Sequence, residues 1–141
     1  MLRSCKLNRQ TIYDMKNPMI LKNDVRSLDM IENTIEAWHK IIETKDAAGL
    51  DNILADNVVF HSPVVHTPQQ GKEITKMYLV AALYVFANDS FKYLREVVSG
   101  NNAFLEFSTV IEGITVNGVD MITWGTDGRI CLLYTSPSPR D

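Results

Sequence analysis

Apolar residues recur at intervals of three and four along residues 28–44, at Leu28, Ile31, Ile35, Trp38 and Ile42. That spacing predicts a helix with one apolar stripe. Glu32, Glu36, Lys40 and Glu43 fall on its solvated side. Ser27 or Asp29 supplies the expected N-cap side chain. The helix is expected to fade at Asp46-Ala47-Ala48-Gly49, and Leu50, Ile53 and Leu54 form the buried side of a short second helix over residues 50–54. Val58, Val59 and Phe60 then read as a strand that Pro63 stops. Residues 63–71 carry two prolines and a glycine, which predicts a loop. Between residues 72 and 87 the helical period returns through Ile74, Met77, Tyr78, Ala81, Ala82, Val85 and Phe86. So wide an apolar face predicts a well-buried helix.

Three strand patterns follow. Residues 91–99 lead into a turn at Gly100-Asn101-Asn102. Residues 103–112 alternate, with Ala103, Leu105, Phe107, Thr109 and Ile111 on one face and Phe104, Glu106, Ser108 and Val110 on the other. The third strand starts at Ile114 or Val119 and ends at Trp124, with Asn117-Gly118 as a hairpin turn or a bulge near its start. Asp127-Gly128 is a strong turn signal before a last strand at Arg129-Ile130. Helices followed by a run of strands give an α+β class, with the helices on one face of an antiparallel sheet. Three segments are expected: a poorly ordered basic leader over 1–26, one domain over 27–130, and a tail over 131–141. The tail, CLLYTSPSPRD, reads as translated adaptor sequence and leaves the last strand truncated.

Composition narrows the function classes. The 141 residues carry a net charge of -3, which argues against a nucleic-acid binder. Residues 1–22 hold five basic side chains and one acidic one, so the remainder is about seven units negative. No apolar run approaches the ~20 residues of a membrane span. The two cysteines, Cys5 and Cys131, read as free thiols in a reducing, cytoplasmic setting. No metal-ligand spacing, nucleophile triad, phosphate loop or dinucleotide fingerprint is present in the sequence. No metal and no cofactor are expected.

The run LADNVVFHSP over residues 54–63, Gly71 opening a helix, and the run VDMITWGTDGRI over residues 119–130 together resemble the nuclear transport factor 2-like superfamily, in its SnoaL-like form. The same fold includes the ketosteroid isomerases. The resemblance covers about residues 28–130. It implies a conical α+β barrel, in which a curved antiparallel sheet wraps the helices and a pocket opens between them. It also implies a homodimer formed through the sheet. The superfamily includes isomerases, cyclases, dehydratases, hydrolases and non-catalytic binding modules, so fold alone does not assign an activity.

Matched to the isomerases, Asp120 falls where a neutral carboxylic acid donates a hydrogen bond to the enolate. Ser62 falls at the position of the general-base aspartate, Trp38 at that of the oxyanion tyrosine, and Tyr78 at that of a supporting pocket tyrosine. A serine hydroxyl is too weak a base to replace a carboxylate, and an indole N–H is not an acid of phenol strength. Steroid isomerisation by that mechanism is therefore not expected. Asp120 is the candidate acid/base group, and Trp38, Ser62, His66, Tyr78, Glu106 and Trp124 are candidate pocket residues. By strand alternation His61 faces outward, and His39 belongs to the helix surface. The expected ligand is a small apolar or carbonyl-bearing molecule. The chemistry is cofactor-free acid/base catalysis of isomerase, cyclase or hydrolase type, or else the chain is a non-catalytic ligand-binding or dimerisation module.

Overall fold

A computed structural model describes residues 21–137, with side chains from Asp29 onward. Helix α1 spans Leu21–Thr44 and α2 spans Ala47–Ile53. Strand β1 covers Leu54–His61 and the two-residue β2 is Gln69–Gln70. Helix α3 covers Lys72–Phe86. Strands β3 (Lys92–Ser99), β4 (Asn102–Ile111), β5 (Ile114–Trp124) and β6 (Ile130–Pro137) complete the order. Residues 1–20, most of the expected leader, and residues 138–141 lie outside the described residues. No described helix is long and apolar enough to cross a membrane.

The helical stripe forms as its spacing predicts: Ile31, Ile35, Trp38 and Ile42 are buried on α1, with Ile41 beside them. The helix is already formed at Leu21, so Ser27 and Asp29 lie inside it and are not caps. No proline or glycine interrupts residues 21–44. Asp46 caps α2 by accepting the Ala48 N–H at 3.0 Å. Leu54 leaves that helix directly in extended conformation, so β1 is longer than the predicted three residues and carries a register shift between Leu54 and Val59.

The six strands form one sheet in the order β2-β1-β6-β5-β4-β3. Strands β3 to β6 make an antiparallel meander, but β1 lies parallel to β6. The sheet is therefore mixed rather than purely antiparallel. It curves around the helices without closing, because β2 and β3 are free edges. The alternation of β4 holds: Ala103, Leu105, Phe107 and Thr109 are buried on the inner face. On β5, Asp120, Ile122 and Trp124 share that face.

Three expectations change. The final strand does not dissolve at residue 131. It runs to Pro137, with Leu133 fully buried and Thr135 paired with Asp120. Cys131 is disulfide-bonded, not a free thiol, and Cys5 lies outside the described residues. Helix α3 is only thinly buried, through Thr75 and Leu79, while Met77, Tyr84 and Val85 are exposed. Part of its apolar side faces a cavity instead of packed side chains.

The β4–β5 hairpin turns at Glu112-Gly113, where both residues adopt positive φ (51° and 80°), as a two-residue type I′ turn requires. Asn117-Gly118 lies within β5. Gly118 has a different purpose there: a Cβ at this position would stand 2.4 Å from Phe107 Cζ. The bare backbone lets the Phe107 ring lie across β5. Gly118→Ala should therefore destabilise the fold by about 1–3 kcal/mol in urea unfolding, and Phe107→Leu in the same chain should recover part of the loss. Additive losses in the double variant would show that the ring contact is not the cause.

Candidate functional site

A cavity of about 390 Å³ lies between α1, α3 and the inner face of the sheet. That volume falls within the roughly 300–1,000 Å³ of small-molecule pockets. Its walls are almost wholly apolar, from Ile41, Leu50, Phe60, Leu79, Phe91 and Phe107 among others. Residues 62–65, after β1, border it together with Ala81, Ala82 and Val85 of α3. Val64 and Val85 belong to this wall yet are 78% and 52% exposed, so the cavity opens between the loop and α3.

Asp120 is in the cavity wall and is only 6% exposed. The sheet register places it opposite Leu105 on β4 and Thr135 on β6. Thr135 Oγ1 donates to Asp120 Oδ1 at 2.7 Å. The Tyr93 hydroxyl, reaching over from β3, donates to Oδ2 at 2.9 Å. Trp38 Nε1 on α1 in turn donates to the Tyr93 oxygen at 2.9 Å. Four elements thus converge on one carboxyl. Burial lifts Asp120 from its ordinary value of 3.8 to about 6, against the two donated hydrogen bonds, which hold it lower. Burial, and then the Asp120 charge, push the Tyr93 hydroxyl well above its ordinary range, so it stays protonated.

Of the residues singled out by sequence, Trp38, Ser62, Tyr78 and Asp120 come together around the cavity. Three others do not line it. Glu106 points from the outer face of β4, since it alternates with the inward Leu105 and Phe107, and it pairs with Arg95. His66 sits exposed in the loop after β1. Trp124 is inward but sealed in the core at 1% exposure, its Nε1 without a partner among the described residues. Ser62 Oγ accepts the Val64 N–H at 3.2 Å, the bond of a strand-end hydroxyl. His61 stacks on Tyr134 at 3.9 Å, on the outer face as alternation predicts. His39 is not a plain surface residue: it pairs with Glu96 at 2.5 Å and meets the Tyr93 ring edge-on at 4.9 Å. The described residues hold no cluster of metal-ligating side chains.

Sequence reasoning missed Tyr93 and Thr135. Tyr93 shares an inward face with Phe91, a period-2 signal that could have marked it. Thr135 lay in the discounted tail.

Similarity to known proteins covers the same span. A family model described as a SnoaL-like domain matches residues 35–133. A steroid delta-isomerase from Pseudomonas aeruginosa is 35% identical, with 78% of this chain and 80% of that one covered at a TM-score of 0.72. A Silicibacter pomeroyi protein with a cystatin-like fold is 25% identical over 75% and 74% of the two chains, at a TM-score of 0.69. An NTF-2 like protein of unknown function from Burkholderia xenovorans shares the fold at 15% identity, over 80% and 86%, with a TM-score of 0.66. No curated protein matches the chain at a significant level.

The raised Asp120 value carries a stability consequence. Between its ordinary value of 3.8 and about 6, the folded state binds more protons than the unfolded one. The stabilisation is then complete below pH ~4 and is lost as pH rises through ~6, by on the order of 3 kcal/mol. Asp120→Asn cannot titrate, so urea unfolding from pH 4 to 7 should show the unmodified protein losing stability relative to the variant by that order. Parallel curves for the two proteins would contradict this assignment.

Proposed function

The chain belongs to the SnoaL-like domain family, and from that premise we propose that it binds a small, largely apolar molecule in the cavity and uses Asp120 for cofactor-free acid/base chemistry on it. One observation carries the reading: a single carboxyl, buried and braced by two hydroxyls, forms part of a largely apolar cavity wall. Such a site suits a ligand that is apolar over most of its surface and has one polar function. A carboxyl that titrates near 6 exchanges a proton readily close to neutrality. The likeness to a steroid delta-isomerase supports isomerase-type chemistry on a carbonyl-bearing molecule.

A second reading, ligand binding without turnover, is favoured by Ser62. It stands at the base position of the isomerase pattern, and its hydroxyl is engaged with backbone rather than with an activating base. The expectation of a cytoplasmic protein rested on free thiols, and Cys131 does not supply one.

Two variants separate the readings. Ala82→Phe fills the cavity from α3 and should abolish binding of apolar probes, read by tryptophan fluorescence, with the fold retained by circular dichroism. Asp120→Ala should reduce turnover of a responsive substrate by about 10²- to 10⁴-fold while binding changes far less. If Asp120→Ala alters stability alone, the catalytic reading falls and the binding reading stands.

We also propose a homodimer through the outer sheet face. His61, Tyr134, Met121, Phe104 and Val97 lie in one cross-strand row over five strands. Phe104 and Val97 are 46% and 60% exposed, an apolar row that a second copy would cover. Phe104→Glu should convert a dimer to a monomer in sedimentation velocity. A protein that is already monomeric at high concentration would exclude the assembly.

A further inference from the structure

The hydrogen-bond chain that ends on Asp120 has a fixed direction. An indole N–H donates and cannot accept, so the 2.9 Å bond from Trp38 Nε1 makes the Tyr93 oxygen an acceptor. The single Tyr93 proton is left for its other partner, Asp120 Oδ2. A proton on Oδ2 would collide with it in the same bond, or leave the Tyr93 proton without a partner in a buried site. Oδ2 is thus held as an acceptor by a donor-only group on α1. Oδ1 receives the Thr135 hydroxyl. Thr135 belongs to the cavity wall and Tyr93 does not, which favours Oδ1, the oxygen bonded to Thr135, as the one nearer the cavity.

We propose that Trp38 and Tyr93 are positioning residues that hold Asp120 as the proton-accepting group of the cavity, and that the ligand class is an apolar molecule presenting a hydroxyl proton to Asp120 Oδ1. The proposal rests on the small-molecule reading of the cavity and replaces its carbonyl-bearing ligand with a hydroxyl-bearing one. A hydroxyl donates to Oδ1 as a charge-assisted hydrogen bond in an apolar surround. A ligand with only a carbonyl or ether oxygen sets acceptor against acceptor. This reverses the sense of the isomerase pattern, in which the matching acid is a donor.

The surroundings keep this direction. Tyr78 on α3 is the one other ionisable residue in the cavity wall. Glu96 on β3, paired with His39 of α1, adds negative charge near Tyr93. After burial and Asp120, that charge also keeps the Tyr93 hydroxyl protonated and therefore donating.

The experiment has two parts on the full chain. Carbon-13 NMR of the Asp120 carboxyl is followed against pH in the unmodified protein, Tyr93→Phe and Trp38→Phe. Tyr93→Phe keeps the ring contacts with Phe91 and His39, and should raise the Asp120 titration by about one unit. Trp38→Phe should raise it less, and it gives the same test if the first variant does not fold. Calorimetry then compares beta-naphthol with its methyl ether above pH 7. The naphthol should bind at least about tenfold tighter, an advantage that Asp120→Ala reduces to within about threefold. Equal binding of the pair, or an Asp120 titration that neither variant moves, overturns the proposal and leaves the cavity reading intact. Binding of neither probe, nor of any other apolar probe, defeats both together.

Discussion

The polar chain from Trp38 through Tyr93 to Asp120 and Thr135 depends on keeping one carboxyl satisfied away from water. A buried carboxylate without donors is among the costlier features a small domain can carry. Here Tyr93 and Thr135 supply those donors from strands on either side of β4 and β5. The arrangement is sensitive to register. Thr135 stands opposite Asp120 because β6 pairs with β5 in one particular alignment, and a slip of one residue would turn it to the outer face. Trp38 extends the same constraint to α1, since its N–H reaches Tyr93 only when the helix lies at the present angle across the sheet. The polar chain therefore ties helix to sheet at the point where the apolar core gives way to the cavity.

The cavity has its own consequence for α3. A helix packed fully against the sheet would bury its wide apolar face. This one covers a void, so Thr75 and Leu79 are its only buried residues, and it is anchored at its start by Lys76 to Asp51 at 2.6 Å and Lys72 to Asp56 at 3.1 Å. Unfilled volume loses dispersion contacts and weakens what surrounds it. The C-terminal half of α3 and residues 62–65, which together frame the opening, are accordingly held by less packing than the inner face of the sheet. That is where a ligand would enter, and filling the void would restore the missing contacts.

How much of this was legible beforehand depends on the range of the signal. Local periodicity carries over well: the 3-and-4 spacing of α1 and the alternation of β4 and β5 put Ile35, Trp38, Leu105 and Asp120 on the sides they occupy. The same alternation, applied strictly, also sends Glu106 outward with Phe104, although its chemistry made it a pocket candidate. Long-range pairing is not written locally. The parallel contact of β1 with β6 joins strands far apart in sequence, and no residue type announces it. Tyr93 was hidden for a similar reason, because its partner lies two strands away and a register shift follows it in β3. Thr135 was obscured by composition, since a Ser/Pro-rich end reads as a tail even though its first residues complete the sheet.

Position-by-position likeness and hydrogen-bond direction lead to different conclusions about the same carboxyl. The resemblance to the isomerases implies an acid that donates at Asp120, and 35% of residues are shared with a steroid delta-isomerase across most of both chains. But what a carboxyl does is set by what its neighbours can give. A tyrosine can donate or accept, so a network built from tyrosines can reverse its direction as protons move. An indole cannot. With Trp38 at the outer end of the chain, the direction toward Asp120 is set by covalent structure and not by pH. On this reading one aromatic residue buried in α1, joined to the carboxyl only through Tyr93, fixes the sense of the hydrogen bond on Oδ2.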